Sequence, residues 1–129
     1  MHRRTIVLLA VFVAVSLLLS ACATTATQTT ASNGYTWTRG KLTFTTPHPL
    51  EDCHYATIIA FHDLGLAVGG DTTDAMGGRV VAETAVGDTV TIDIEPQTLY
   101  ATKMDIRVGL WGDEVQSRQI ASAIERRIP

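Results

Sequence analysis

Residues 90–110 read VTIDIEPQTLYATKMDIRVGL and contain two runs in which apolar and polar residues alternate. The apolar members are Val90, Ile92 and Ile94 in the first run, and Met104, Ile106, Val108 and Leu110 in the second. A period of two places these side chains on one face of a strand and the charged residues on the other. The pattern predicts two half-buried strands, which are typical of an antiparallel sheet with one face in water.

Helical spacing is found on both sides of this region. Apolar and small residues recur every three or four positions from Leu50, with Glu51 and Asp52 at the start and Gly65 at the end. A second stripe follows Asp113 and consists of Ser117, Ile120, Ala121, Ile124 and Ile128. We therefore predict a helix that begins at Leu50 and a final helix that is capped by Asp113.

The remaining strands are expected before and after the first helix. Tyr35 and Trp37 occupy odd-numbered positions, whereas Leu42 and Phe44 occupy even-numbered positions. A single strand through these residues should therefore change face through a bulge or bend at Gly40. Residues 68–73 add a short segment and residues 79–84 add a strand, which follows a turn or bulge at Gly77-Gly78. The predicted fold is α+β, with an antiparallel sheet of about four strands, two helices on one face, and the order β-α-β-β-β-α.

The N-terminus has the pattern of a targeting signal. Basic residues near Met1 precede the apolar run Ile6–Leu19, and Leu19-Ser20-Ala21-Cys22 follows. This tetrapeptide resembles the lipobox of bacterial lipoproteins, in which the cysteine receives a diacylglycerol and the chain is cut before it. We predict cleavage between Ala21 and Cys22 and lipid attachment at Cys22.

An uncleaved anchor and an ordinary secretory signal are the alternatives. The apolar run is shorter than the roughly 20 residues of a spanning helix, and an ordinary signal needs no cysteine at this position. The predicted organisation is a lipoprotein signal peptide over residues 1–21, a lipidated cysteine with a flexible Thr/Ala tether over 22–33, and a single α+β domain over 34–129. Because Ala23 rather than aspartate follows the cysteine, we expect the periplasmic face of the outer membrane.

Charge and cysteine usage restrict the partners. The chain has 10 Lys and Arg against 13 Asp and Glu, a net charge of −3, and the basic residues do not cluster. This balance argues against nucleic acid and against a polybasic contact with anionic lipid. With Cys22 lipidated, Cys53 has no partner in the chain, which excludes a disulfide framework. The expected partners are the membrane, through the lipid, and an unidentified envelope protein or small ligand, and no cofactor is predicted.

Cys53 and the histidines are the candidates for chemistry. Cys53 adjoins His54, but neighbours on a helix point about 100° apart, and Cys53 falls on the apolar stripe. His48, His54 and His62 lack the spacing of a helical metal pair. We predict neither a catalytic residue nor a metal site. A thiol- or metal-handling lipoprotein that uses Cys53 and nearby histidines is the alternative function, which a surface-exposed Cys53 would favour.

The residues around Trp111 are the candidate interaction site. Gly112 is expected to adopt a backbone angle that a Cβ would strain. Asp113 can cap the last helix, and Arg118 lies four residues after Glu114, so a role in the fold is the favoured interpretation for Asp113 and Arg118. Trp111 adjoins them, and large aromatic residues mark binding sites when they are exposed. Trp111, Asp113 and Arg118 are therefore the predicted interaction residues.

A family resemblance covers roughly residues 35–128. It is carried by Asp63-Leu-Gly-Leu66, by Gly77-Gly78, and above all by Arg107-Val-Gly-Leu-Trp-Gly-Asp-Glu114 with Ser117, Arg118 and Ile120. These residues resemble an uncharacterised family of small bacterial envelope lipoproteins known only as a domain of unknown function. The resemblance implies a lipidated envelope domain and no known activity. The predicted function is a non-catalytic, membrane-anchored lipoprotein that binds a protein or a ligand.

Overall fold

The protein, seen in a computed structural model that describes residues 34–129, is mostly β. Its elements are β1 (Thr36–Thr38), β2 (Lys41–Thr46), α1 (Leu50–Asp63), β3 (Ala67–Asp74), β4 (Gly77–Glu83), β5 (Thr89–Thr98), β6 (Ala101–Val108) and α2 (Glu114–Glu125). The six strands form one antiparallel sheet in the order β1-β2-β6-β5-β4-β3. Neither helix of this part of the chain has the length and hydropathy needed to cross a membrane.

The predicted α+β fold with about four strands in the order β-α-β-β-β-α is wrong. One reason is that the segment around Gly40 is a hairpin and not a bent strand. Arg39 and Gly40 have φ of 51° and 76°, and Thr38 pairs with Lys41, so these two residues form a tight hairpin turn. The chain reverses here, which is why the apolar residues of β1 and β2 differ in parity and yet share a face.

The second reason is β3, an eight-residue strand that the prediction reduced to a short segment. Its sequence, AVGGDTTD, lacks alternating apolar residues, and most of the strand is exposed. It pairs with β4 along its whole length, with a register shift between Val68 and Gly70. Because β3 lies at the edge of the sheet, it buries little surface and needs no apolar pattern.

The core lies between one face of the sheet and both helices. The sheet contributes the buried residues Leu42, Phe44, Val80, Ala82, Val90, Ile92, Ile94, Met104, Ile106 and Val108. The helices contribute Cys53, Ala56, Ala60, Phe61, Ile120, Ala121, Ala123 and Ile124. Each large side chain buried in this way contributes about 1.5–3 kcal/mol of transfer free energy, so the sheet and the helices stabilise each other.

The helix boundaries follow the predicted signals. α1 begins at Leu50, and its last turn closes where the amide of Leu66 donates to the carbonyl of Phe61 across Gly65, which has a φ of 70°. α2 begins directly after Asp113, which lies at the N-cap position. Both predicted helix starts and the Gly65 stop are confirmed.

The turns divide into two groups at opposite ends of the sheet. We call one group the Trp111 end, formed by the β1–β2 turn, the β4–β5 turn and the β6–α2 junction, residues 109–113. The other group is the Tyr100 end, formed by the β3–β4 turn, the β5–β6 turn and the start of α1. Antiparallel pairing fixes this division, since Val90 at the start of β5 faces Val108 at the end of β6.

Candidate functional site

The β6–α2 junction is fixed by a backbone contact with the β1–β2 turn. Gly112 has a φ of 86°, and a Cβ at this position would lie 2.5 Å from the Cα of Gly40. In the opposite direction, a Cβ on Gly40 would overlap the carbonyl oxygen of Trp111. The prediction that a Cβ at residue 112 would strain the backbone is confirmed. The contact with Gly40 adds a steric reason that the sequence did not indicate.

Asp113 and Arg118 both have partners within the fold. A carboxylate oxygen of Asp113 accepts a hydrogen bond from the amide of Gln116 at 2.9 Å, which is the predicted cap. The Nε and Nη2 atoms of Arg118 donate to Glu114 at 3.0 and 2.8 Å. The Arg118 guanidinium also lies 5.8 Å from the ring centroid of Tyr35. These contacts account for Asp113 and Arg118 without any external partner.

Tyr35 is a residue that the sequence prediction did not single out. Its hydroxyl donates to the carboxylate of Glu125 at 2.5 Å, and its ring packs edge-on against Phe44 with centroids 5.3 Å apart. Burial, followed by the hydrogen bond to Glu125, raises the pKa of Tyr35 to about 12. Because 90 residues separate the two partners, no local pattern indicates this bond.

Trp111 differs from Asp113 and Arg118, because 86% of its surface is exposed. It belongs to a group of exposed apolar residues at the same end of the molecule, which we call the Trp111 surface: Leu64, Val86, Leu110, Trp111 and Val115. Leu64 and Val86 border a groove of about 300 Å³ with Leu66 and Ile120 in its lining. Leu64 also borders a neighbouring depression with Val115, so these two depressions connect Val86, Leu64 and Val115. Exposed apolar groups of this kind mark interaction sites.

The thiol of Cys53 lies in the core. The residue is 0% exposed, and its sulfur is 3.8 Å from the carbonyl oxygen of His48. Burial raises the pKa of the Cys53 thiol, which favours the unreactive protonated form. His54 pairs with Asp71, with Nε2 and Oδ1 2.6 Å apart, and within residues 34–129 no three side chains of the ligand types are grouped to hold a metal ion. The burial of Cys53 argues against the alternative in which this thiol is reactive.

The open face of the sheet is covered by charged side chains in cross-strand pairs. Lys103 contacts Glu95 at 2.5 Å, and Arg79 contacts Asp93 at 2.5 Å. Arg107 differs from these paired residues, since its Nε atom is buried and has no hydrogen-bond partner among the described residues. The sequence prediction named none of these residues as functional. Their pairing is what a solvated sheet face requires.

Comparison with known proteins places the chain in a family. A family model described as "Protein of unknown function (DUF3568)" matches residues 5–127. The chain belongs to this family. No curated protein sequence matches it. The predicted resemblance to a family of unknown function is confirmed, whereas the lipobox and the envelope location stay predictions because the DUF3568 description names neither.

Two of the predicted site residues lie outside the described part of the chain. These are Ala21 and Cys22, the predicted cleavage and lipidation site, since the structure describes residues 34–129. Of the three predicted interaction residues in this DUF3568 domain, Asp113 and Arg118 make contacts that maintain the fold, and Trp111 is the one that faces solvent. The sequence located the junction, but the exposure of Trp111 depends on how α2 packs.

Proposed function

We propose that this protein is a membrane-anchored envelope lipoprotein whose domain is non-catalytic and binds a partner protein through the Trp111 surface. The anchoring is supported by Leu19-Ser20-Ala21-Cys22 behind a basic start and the apolar run Ile6–Leu19. Two or more acyl chains at Cys22 would make the attachment persistent, since a single chain binds only marginally. The proposed location is the periplasmic face of the outer membrane.

The exposure of Trp111 is the observation that carries the binding proposal. Tryptophan is among the residues that dominate the binding free energy of protein interfaces. Here it lies three residues after the end of β6, and its backbone is held by the contact between Gly40 and Gly112. A backbone that is held in place before binding loses less entropy when a partner covers the side chain that it carries. The Trp111 surface therefore has both the composition and the rigidity of an interface.

A protein is a better fit to this surface than a small ligand. Pockets for small ligands enclose most of the ligand and have volumes of about 300–1,000 Å³. Trp111 projects outwards and lines neither of the two depressions at this end, and the groove beside Val86, at about 300 Å³, is at the lower limit of this range and matches a side chain or two of a partner. The partner should therefore present an apolar patch that covers Trp111 and a projecting apolar side chain that fills the groove.

Site-specific photocrosslinking in membranes of the native host tests the binding proposal. The full-length chain carries the photoreactive residue at position 111, or at position 100 as the matched control. Trp111 and Tyr100 are 86% and 76% exposed at opposite ends of the domain. We expect a discrete crosslinked protein from position 111 and none of the same mass from position 100.

A substitution supplies the second readout. Trp111→Ser should abolish affinity capture of the crosslinked protein and leave the unfolding midpoint unchanged, because the side chain is exposed. Tyr100→Ser should retain the capture. The binding proposal is wrong if position 111 gives no crosslink, or if Trp111→Ser captures the same protein as the wild type.

Mass spectrometry tests the anchoring part separately. Protein extracted from membranes should begin at Cys22 and carry added acyl mass. A chain that retains Met1, or an unmodified soluble product, would contradict the lipoprotein proposal without affecting the result at Trp111.

A further inference from the structure

A second group of exposed apolar side chains lies at the Tyr100 end. Met76 is in the β3–β4 turn, and Leu99 and Tyr100 are in the β5–β6 turn; all three are more than three-quarters exposed. Both turns border a shared groove of about 590 Å³ together with Pro49 and Leu50 at the start of α1. The two turns therefore lie beside each other, and we call their exposed apolar residues the Tyr100 surface: Met76, Leu99 and Tyr100.

The two turns of this surface are held by local hydrogen bonds. A carboxylate oxygen of Asp74 accepts from the amides of Met76 and Gly77 at 2.7 and 3.2 Å. The amide of Tyr100 donates to the hydroxyl of Thr98 at 3.2 Å. Because these bonds fix the backbone of each turn, the apolar side chains are held outwards at this end of the sheet.

The described chain enters the fold close to this end. Thr36 pairs with Thr43, so Gly34 lies at the level of Thr45, which pairs with Lys103. At about 3.3 Å per residue, Lys103 lies about 10 Å along β6 from Tyr100 and about 17 Å from Val108. The Trp111 end is still farther away.

The length of the preceding segment makes this difference significant. The predicted tether, residues 23–33, would span on average about 20 Å. This span is about twice the distance of about 10 Å from the chain entrance to Tyr100, but it barely exceeds the distance of more than about 17 Å to the Trp111 end. A lipid at Cys22 therefore favours the orientation in which the Tyr100 end faces the membrane. The Trp111 end could reach the same surface only if the tether ran back along the domain.

We propose that the Tyr100 surface lies against the lipid leaflet that holds the N-terminal acyl chains, which directs the Trp111 surface away from the membrane. The proposal rests on lipid attachment at Cys22. Tyrosine is enriched at the membrane interface because its ring is apolar and its hydroxyl is polar, and Leu99 and Met76 supply the apolar contacts. Glu51 and Asp74 border the same groove. The contact is therefore with zwitterionic lipid and does not depend on anionic headgroups.

Fluorescence quenching by lipid-bound nitroxides tests this orientation. The full-length lipidated protein is placed in vesicles of phosphatidylcholine and phosphatidylethanolamine, with a fluorophore on Leu99→Cys or on the control Val86→Cys. Leu99 and Val86 are 81% and 83% exposed, at opposite ends. Cys53 is 0% exposed and does not compete for the label. We expect nitroxide lipids to reduce the emission at position 99 at least about twofold and to leave position 86 unchanged.

Two further measurements separate the possible failures. If mass spectrometry shows an acylated Cys22 while position 99 is quenched no more than position 86, the orientation is wrong and the anchoring proposal stands. An unacylated Cys22 would overturn both. Added phosphatidylglycerol should leave the quenching at position 99 unchanged, and an increase of several-fold would overturn the zwitterionic contact. Tyr100→Ser should reduce quenching at position 99, whereas no reduction would show that the apolar surface is not what holds this end.

Discussion

The contact between Gly40 and Gly112 leads to a quantitative prediction for Gly112→Ala. Two costs add at this position. An L-residue at a φ of 86° costs about 1–2 kcal/mol because its Cβ approaches the neighbouring carbonyl oxygen. The new Cβ also meets the Gly40 backbone at 2.5 Å, and moving one turn away from the other should cost about 1–3 kcal/mol more. The expected loss is therefore about 2–5 kcal/mol of unfolding free energy.

Gly65→Ala is the matched control. Gly65 has a φ of 70°, but a Cβ there meets nothing within 4 Å, so this variant should show the conformational cost alone, about 1–2 kcal/mol. Urea unfolding, followed by circular dichroism, measures the loss in each variant. The comparison requires that both variants keep the wild-type dependence of the unfolding free energy on urea concentration. If Gly112→Ala costs no more than Gly65→Ala, the two turns do not press on each other, and the rigidity assigned to the Trp111 surface is wrong.

Three further variants test the core, the helix cap and a buried tyrosine. Cys53→Ser should lower stability by about 1–3 kcal/mol and the wild-type thiol should resist a water-soluble reagent, whereas rapid labelling of the folded protein would contradict its burial. Asp113→Ala should cost about 0.5–2 kcal/mol in the same unfolding assay, and an unchanged midpoint would show that the cap contributes nothing. The pKa of Tyr35 is raised from 10.0 to about 12, so its stabilising contribution is complete below pH 10 and is lost as the pH rises towards 12. Tyr35→Phe should therefore lose less stability than the wild type as the pH rises from 10 towards 12. An identical dependence of stability on pH in both proteins would contradict the raised pKa of Tyr35.

Periodicity in the sequence was sufficient to predict the strands and helices that bury one full face. β5 and β6 alternate strictly because each carries one row of side chains into the core, and the two helices have clear starts and a clear Gly65 stop. β3 was reduced to a short segment because an edge strand needs only backbone pairing and shows no apolar alternation. The β1–β2 hairpin was misread because Arg39 at a positive φ is uncommon, so the Arg-Gly pair gave no strong turn signal.

The candidate site was predictable where its cause is local. The cap at Asp113 and the backbone requirement at Gly112 depend on a few adjacent residues, so the sequence indicated both. The contact with Gly40 and the bond from Tyr35 to Glu125 depend on segments that are distant in the chain. The exposure of Trp111 is likewise a property of the assembled domain, and it shifts the interpretation of this junction from a mainly architectural role towards binding.

The bond between Tyr35 and Glu125 also has a mechanical consequence. Any pull transmitted from a membrane-held Cys22 would enter the folded domain at Gly34 and reach Tyr35 next. β1 has only three residues and lies at the sheet edge, so its hydrogen bonds could break one after another under load. The side chain of Tyr35 is buried against Phe44, and its hydroxyl donates to Glu125 of α2. The force would therefore act on this side chain before it acts on the hydrogen bonds of β1. The hydrogen bond from Tyr35 to Glu125 would thereby resist the separation of β1 from the sheet under such a force.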